Sequence, residues 1–165
     1  MQENRVKRIM NAGGLALGTH TGGIADPQIV EIIGLAGFDA AFIDMEHTAF
    51  DLHDVTGMVM AAERAGITSI VRTPGFDPAF ILRLLDQGVQ GIQVPHVSDP
   101  ATAREAVRKG AGARLALPLN HAAYPRNAAQ LKELGAGYTN CAPTPETRLL
   151  RSMQEQCAAQ RKLLS

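Results

Sequence analysis

The sequence predicts an α/β fold in which short parallel strands alternate with helices. Four short apolar runs recur at intervals of roughly 25 residues, and a stretch with helical spacing of apolar residues separates each run from the next. Helix-start signals built on aspartate precede these stretches, and glycines follow them. Such alternation implies parallel strands joined by right-handed crossovers.

The four predicted strands are too short to be helices and contain few polar positions that would face solvent. This composition is typical of strands buried on both faces of a parallel sheet. The strands are predicted at Leu15–Thr19, Ala40–Asp44, Ser69–Arg72 and Gly91–Val94.

Each helix predicted within the first 108 residues begins at an aspartate that can cap its first turn. Asp26, Asp77 and Asp99 are each followed by proline, which suits the first helical position, and Asp51 can cap a further helix. The recurring Asp-Pro pair is a structural signal, not a functional one. Three of these helices are predicted to end at Gly37, Gly66 and Gly88.

Two architectures fit this pattern, an eight-fold (β/α) barrel and a doubly wound open sheet. Eight units at this spacing need about 200 residues, and a typical barrel has about 250, whereas this chain has 165. We therefore expect one domain over residues 1–165, an apparently incomplete barrel with about four βα units. After residue 108 the alternation stops. In the divergent segment 109–165 we expect helices at 127–134 and 146–164, turns at 135–145, and no fifth strand of the same quality.

The composition is that of a soluble globular protein and excludes several function classes. Apolar residues make up 45% of the chain and charged residues 19%, and 16 basic residues balance 16 acidic ones. Without a basic bias, we expect no nucleic-acid or membrane-surface partner. Cys141 and Cys157 have no metal-site or redox spacing and are expected to be free thiols. No signal peptide or membrane span is recognised, which predicts a cytoplasmic protein.

Polar side chains follow the predicted strands at their carboxyl ends, where parallel α/β folds place their chemistry. Asp44, Glu46 and His47 follow the second run, and Arg72 closes the third. Asp44 could orient the His47 ring as in a base–orienter pair, or it could only cap the next turn. Arg72 could bind a carboxylate or stabilise an enolate, or it could pair with Asp44 or Glu46. Asp86 has the pattern of a solvated helix residue or a helix-end partner.

The remaining histidines and glycines give weaker signals. His20 and His96 follow predicted strands and could line a site. His53 lies early in a predicted helix and is expected to be solvated, and His121 lies in the segment whose pattern is least informative. Residues 13–18 imitate a dinucleotide fingerprint, but these glycines flank a strand instead of linking a strand to a helix. Residues 21–23 suit either an anion loop or a plain turn.

Three segments in order resemble the HpcH/HpaI family of class II pyruvate aldolases. Residues 15–47, LALGTHTGGIADPQIVEIIGLAGFDAAFIDMEH, resemble the opening of that family, with its A-D-P helix start and I-D-x-E-H strand end. Residues 69–75, SIVRTPG, resemble its third strand, and residues 81–97, ILRLLDQGVQGIQVPHV, its L-L-D-x-G segment. The resemblance covers residues 13–108.

The resemblance implies a (β/α)8 barrel of the TIM type found in the pyruvate–phosphoenolpyruvate superfamily, in a homo-oligomer. It implies a lyase that joins or cleaves a pyruvate-type enolate and an aldehyde with a divalent metal (Mg²⁺, Mn²⁺ or Co²⁺) and no organic cofactor. His47 matches the catalytic base, Asp44 its partner, Arg72 the arginine that stabilises the enolate, and Asp86 an acid near the aldehyde; Glu46 is expected to act only indirectly. We expect Asp44, His47 and Arg72 to converge, with Asp86 within reach of the same opening.

The sequence departs from the family where the metal would bind. The family's metal ligands lie on later strands, a glutamate in a V-Q-x-E strand and an aspartate in a G-x-x-D strand end, and neither is found after the four predicted strands of this sequence. A truncated gene model, a frameshift or a natural short paralogue would each give this pattern. We therefore expect little aldol activity from residues 1–165 alone. The alternatives are a non-catalytic half-barrel or interaction module, and an open-sheet α/β protein unrelated to aldolases.

Overall fold

The computed structural model describes residues 3–97, residues 138–140, and five helical positions near the C-terminus, which are Leu149, Arg151, Ser152, Gln154 and Cys157. Its core is a sheet of five parallel strands with the spatial order β4-β3-β2-β1-β5. The strands are β1 (Ala16–His20), β2 (Ala40–Asp44), β3 (Thr68–Arg72), β4 (Gly91–Gln93) and β5 (Tyr138–Asn140).

The prediction of four consecutive parallel strands that lie side by side in chain order is confirmed. A fifth strand is present where the sequence predicts turns and no fifth strand of the same quality as the first four: residues 138–140 pair in parallel with β1. This strand has three residues and lies in a segment rich in turn formers. Its local sequence does not predict a strand, and its pairing with β1 supplies the backbone hydrogen bonds of these residues.

Helices connect the strands as the sequence predicts. These connecting helices are α2 (Pro27–Leu35), α3 (Leu52–Arg64) and α4 (Pro78–Asp86), and a further helix, α1 (Arg5–Asn11), precedes β1. The side chains of Asp26, Asp51 and Asp77 accept backbone N–H groups of the first turns of α2, α3 and α4. The glycines beyond these helices have positive φ, the left-handed conformation that glycine adopts without strain; they are Gly37, Gly66 and Gly88.

Helix α1 is a short helix that was not predicted from the sequence. Its N-cap, Asn4, is buried: the side-chain oxygen accepts the Lys7 N–H at 2.9 Å, and the amide nitrogen donates to the Gln90 carbonyl at 3.0 Å. Val6 donates its N–H to the Thr68 hydroxyl at 3.1 Å. Because Gln90 and Thr68 lie at the start of β4 and β3, α1 covers the amino edge of the sheet.

The register divides the buried side chains between the two faces of the sheet. On one face, Phe42 and Ile70 are paired positions of β2 and β3, and they form a cluster with Val6 of α1. On the other face, Ile43 and Val71 belong to the larger core, which α2, α3 and α4 cover. A parallel sheet covered by its crossover helices on one face and closed at its amino edge by a helix is a partial (β/α) barrel.

The remaining predictions for the C-terminal third are tested only in part. Leu149 and Cys157 are helical, in agreement with the helix expected at 146–164, and both are exposed. The predicted helices that follow Asp99 and that span 127–134 lie outside the described residues. No helix in the described part of the chain is long and apolar enough to cross a membrane.

Candidate active site

The carboxyl ends of β2 and β3 place an acid and an arginine side by side. Asp44 and Arg72 are paired positions of the two strands, so their side chains leave the sheet on the same face. The Arg72 Nε donates to Asp44 Oδ1 at 2.8 Å, and Nη2 lies 2.5 Å from Oδ2. Both side chains are buried, with 5% and 11% of their surface exposed. A bidentate pair of this kind fixes the guanidinium plane.

The Arg72 guanidinium lies above the apolar layer of the same face. Its central carbon is 5.8 Å from the centre of the Phe42 ring, and His20 stacks obliquely on Phe42 with the ring centres 4.3 Å apart. From the amino edge to the carboxyl edge, this face therefore changes from apolar to aromatic to ionic. His20 lies beneath the ionic layer, not within it.

The loop after β2 adds a second buried carboxylate to this layer. The Glu46 side chain is 8% exposed, and its Oε2 lies 3.0 Å from Arg72 Nη1. The same oxygen is 3.6 Å from Nε2 of His47, whose ring is 65% exposed. His96, which follows β4, places its Nε2 2.6 Å from the other oxygen of Glu46. Three ionisable side chains thus surround Glu46 at one edge of the sheet, namely Arg72, His47 and His96.

The predicted partnership of Asp44 with the His47 ring is replaced by another arrangement. Asp44 Oδ1 accepts the backbone N–H groups of Glu46 at 3.0 Å and His47 at 3.4 Å, so Asp44 caps the turn. Its oxygens also bind Arg72, and the His47 ring faces Glu46 instead. Two alternatives predicted from the sequence are therefore present: Asp44 caps the turn, and Arg72 pairs with Asp44 and Glu46.

The net effect of these contacts is to lower the pKa of Asp44 below its usual value. Burial acts in the opposite direction, since it penalises the charged form. The hydrogen bond from Arg72, the backbone N–H of Glu46, the charge of Arg72 and the backbone N–H of His47 together outweigh burial. Asp44 is therefore a fixed negative charge that holds Arg72, not a proton donor.

The structure does not bring Asp86 to this edge. Asp86 is the exposed last residue of α4. Helix α4 begins after the carboxyl end of β3 and ends before the amino end of β4, so its last residue lies towards the opposite edge of the sheet. The expectation that this chain places Asp86 within reach of the opening is therefore not met, and a role for Asp86 stays a prediction.

Two further polar groups lie near the site: Gln93 was not singled out from the sequence, whereas Thr21 belongs to the segment 21–23 that was predicted as an anion loop or a plain turn. Gln93 is paired with Arg72 in the register of β3 and β4, and its buried Oε1 has no hydrogen-bond partner among the described residues. Thr21, just after β1, has a buried hydroxyl for which the described part of the chain provides no hydrogen-bond partner. Gln93 could have been found from the sequence, because it is a polar residue inside the apolar run 91–94. His53 is exposed in α3 and does not join the cluster, and His121 lies outside the described residues.

The described residues do not form a metal site. Among residues 3–97 and the few described positions beyond them, no group of three or more His, Cys, Asp or Glu side chains is arranged to hold a metal ion. The two carboxylates at the carboxyl edge, Asp44 and Glu46, bind Arg72, and a divalent cation in their place would have to compete with the guanidinium. The donor set described therefore does not fit a divalent metal.

The fold and the site together define a partial (β/α) barrel with an arginine–carboxylate–histidine cluster at its carboxyl edge. Residues 23–112 match the profile of the HpcH/HpaI aldolase/citrate lyase family. This match covers more than half of the chain, and the chain belongs to that family.

Individual relatives agree with this assignment. A hydroxypyruvate/pyruvate aldolase from Roseovarius nubinhibens is 33% identical over 122 residues, which cover 68% of this chain and 47% of that protein. A 4-hydroxy-4-methyl-2-oxoglutarate aldolase from Chaetomium globosum is 38% identical over 86 residues, 52% of this chain and 32% of that protein. The chain thus spans a third to a half of the length of these two curated relatives.

A solved structure shows the same fold. The crystal structure of an HpcH/HpaI aldolase from Desulfitobacterium hafniense matches with a TM-score of 0.62 at 29% identity, over 84% of this chain and 56% of that chain. The family predicted from the three sequence segments is confirmed, and so is the barrel-type fold class.

Proposed function

We propose that this chain carries the base-and-arginine half of an aldolase-type lyase site, which makes or breaks a carbon–carbon bond between a pyruvate-type enolate and an aldehyde. The observation that carries the proposal is the convergence of Arg72, His47 and two carboxylates at the carboxyl edge. The names of the relatives, which are aldolases acting on 2-oxo acids, support the same class of reaction.

Each described side chain has a part in this proposal. Arg72 is a permanent cation whose orientation Asp44 and Glu46 fix, and a fixed cation stabilises the charge that develops on an enolate oxygen. The largely exposed ring of His47 is accessible to water and substrate, as a group that accepts and returns a proton must be. Asp44 neutralises part of the charge on Arg72 and holds its plane.

A divalent metal, Mg²⁺, Mn²⁺ or Co²⁺, belongs to the proposal because the family resemblance implies it. When bound, such an ion would polarise the keto group of the 2-oxo acid. Since the described residues do not fit this ion, we assign no step to it. A homo-oligomer is also part of the proposal, and size-exclusion chromatography with light scattering would test it.

The experiment is a chimera that gives this half-site a complete barrel. Residues 16–97 would replace the matching segment of the Roseovarius relative, and pyruvate release from a 4-hydroxy-2-oxo acid would be measured with each metal. We expect cleavage that falls about 100-fold or more in His47→Ala and comparably in Arg72→Met. His53→Ala removes an exposed imidazole from α3 and is the matched control, expected to retain full activity. A folded chimera whose activity ignores both substitutions would overturn the assignment.

The second candidate function is a non-catalytic half-barrel or interaction module. The favouring observation is a set of large apolar side chains exposed on the outer helices, namely Ile32, Leu35, Met60 and Leu82. Calorimetric titration of the full chain with oxalate and a divalent metal separates the two. Binding that His47→Ala or Arg72→Met weakens supports the lyase, and a self-associating chain without binding supports the module.

A further inference from the structure

Glu46 is the point at which the ionic cluster is joined together. One of its oxygens lies 3.0 Å from Arg72 Nη1 and 3.6 Å from His47 Nε2, and the other lies 2.6 Å from His96 Nε2. Its side chain is 8% exposed, although both imidazoles that approach it are largely exposed. A buried carboxylate is stable only when its charge is compensated, and here three side chains share that task.

His96 reaches Glu46 from an unusual backbone conformation. Its φ is 56°, and among the described residues it is the one non-glycine residue with positive φ. Left-handed backbone is disfavoured for residues with a side chain and persists where surrounding contacts compensate for it. The ring is 82% exposed, so burial of the imidazole does not provide that compensation. The contact that the structure does show for this ring is the one with Glu46.

We propose that Glu46 is a positioning residue that holds His96 beside His47, so that the site has two imidazoles coupled through one carboxylate. This inference rests on the proposed function for its chemical meaning. It adds His96 to that function. This residue follows β4, whereas Arg72 ends β3 and His47 follows β2, and its sequence signal was weak.

Two imidazoles match the number of proton transfers in aldol cleavage. The hydroxyl on C4 gives up its proton to a base as the C3–C4 bond breaks, and the electron pair of that bond passes into the enolate. The enolate then takes a proton at C3 from an acid to become the 2-oxo acid. A single histidine must carry out both transfers in turn or exchange its proton with water, whereas a coupled pair can divide them.

The first test uses diethyl pyrocarbonate, which acylates unprotonated, accessible imidazole nitrogens, on the full 165-residue chain. Mass spectrometry would resolve the rate at each histidine. We expect His96 to react several-fold more slowly than the exposed His53 in the wild-type chain, because Glu46 occupies its Nε2. In Glu46→Gln we expect the His96 rate to rise several-fold and the His53 rate to stay unchanged. Equal rates at His96 and His53 in the wild-type chain contradict the proposal without any variant.

The second test asks whether the two imidazoles are coupled. In ¹H–¹³C spectra of the histidine rings, His96→Asn should shift the His47 signals, since the carboxylate between them loses a partner, and leave the His53 signals in place. Asparagine also tolerates left-handed backbone, so this variant removes the imidazole without adding strain. Unchanged His47 signals in a folded His96→Asn chain would overturn the coupling. Neither measurement needs turnover, so a failed aldolase assay with positive ring data would reject the proposed function alone.

Discussion

Arg72 and Asp44 are neighbours both in the sheet register and through their side chains. Their Cα positions pair across β3 and β2, and Nε and Nη2 of the arginine bind the two carboxylate oxygens at 2.8 and 2.5 Å. Burial of an ion pair stabilises a fold less than its short distances suggest, but removal of one partner leaves an uncompensated charge. The stability of the chain should therefore depend on this pair.

Asp44→Asn should destabilise the chain by about 2–3 kcal/mol at neutral pH, because Arg72 loses one of its two carboxylate partners at the buried sheet edge and keeps only Glu46. The free energy of unfolding from urea titration, followed by far-UV circular dichroism, measures the loss. Asp26→Asn is the matched control, since asparagine caps a helix about as well as aspartate and should change stability by less than about 0.5 kcal/mol. Equal effects of the two substitutions would show that the Arg72 pair contributes nothing specific.

The contribution of Asp44 should depend on pH. Its folded-state pKa is lowered, so the unfolded chain takes up a proton first as the pH falls. The stabilisation is therefore fully present above the unfolded-state pKa of about 3.9 and is lost as the pH drops through the lower folded value. The stability difference between the wild-type chain and Asp44→Asn should shrink from pH 6 towards pH 3, as measured by urea unfolding at each pH. A difference that grows on acidification would show that the sign is wrong.

Asn4→Ala should cost about 2 kcal/mol, because it removes a helix cap and leaves the partly buried Gln90 carbonyl without its donor. Thermal unfolding measures the effect. Asn11→Ala, at the exposed end of the same helix, is the control and should be close to neutral. A neutral Asn4→Ala would mean that α1 does not anchor the amino edge of the sheet.

Gly34→Ala should destabilise by about 1 kcal/mol despite the better helix propensity of alanine. A Cβ at Gly34 would lie 2.7 Å from the Cβ of Ala65, which is attached directly to the backbone at the end of α3 and cannot rotate away. Helices α2 and α3 would have to separate. Gly75→Ala is the control, since its added Cβ meets no atom within 4 Å. Chemical unfolding of both variants measures the change in the free energy of unfolding. A stabilising Gly34→Ala would contradict this packing of α2 against α3.

The full chain by itself should show little or no retro-aldol turnover with Mg²⁺, Mn²⁺ or Co²⁺. In cleavage, the electron pair of the breaking C3–C4 bond passes into an enolate, which forms readily only when the keto group is polarised, and the described residues offer no metal site to polarise it. Pyruvate release from a 4-hydroxy-2-oxo acid is the assay. Metal-dependent turnover that disappears in both His47→Ala and Arg72→Ala would reveal a metal site that neither the sequence reading nor the described residues show.

The sequence by itself determined the elements that depend on local chemistry. Asp26 and Asp77, each followed by proline, mark the starts of α2 and α4 because cap geometry needs only neighbouring residues. The apolar runs marked β1 to β4 because strands buried on both faces need unbroken apolar sequence. The position of Asp44 and Arg72 at strand ends then followed from the parallel arrangement, and the I-D-x-E-H and V-R segments indicated the family.

Only the tertiary structure decided which side chains meet. Asp44 has several potential partners within three residues in sequence, but the register of β2 and β3 brings it to Arg72, which is 28 positions away. Glu46 contacts His96 because β4 ends beside β3, a relation that no local pattern contains. Helix α1 and strand β5 were missed for the same physical reason. A seven-residue helix and a three-residue strand gain most of their stability from packing and pairing with distant parts of the chain, so their own sequences carry little signal.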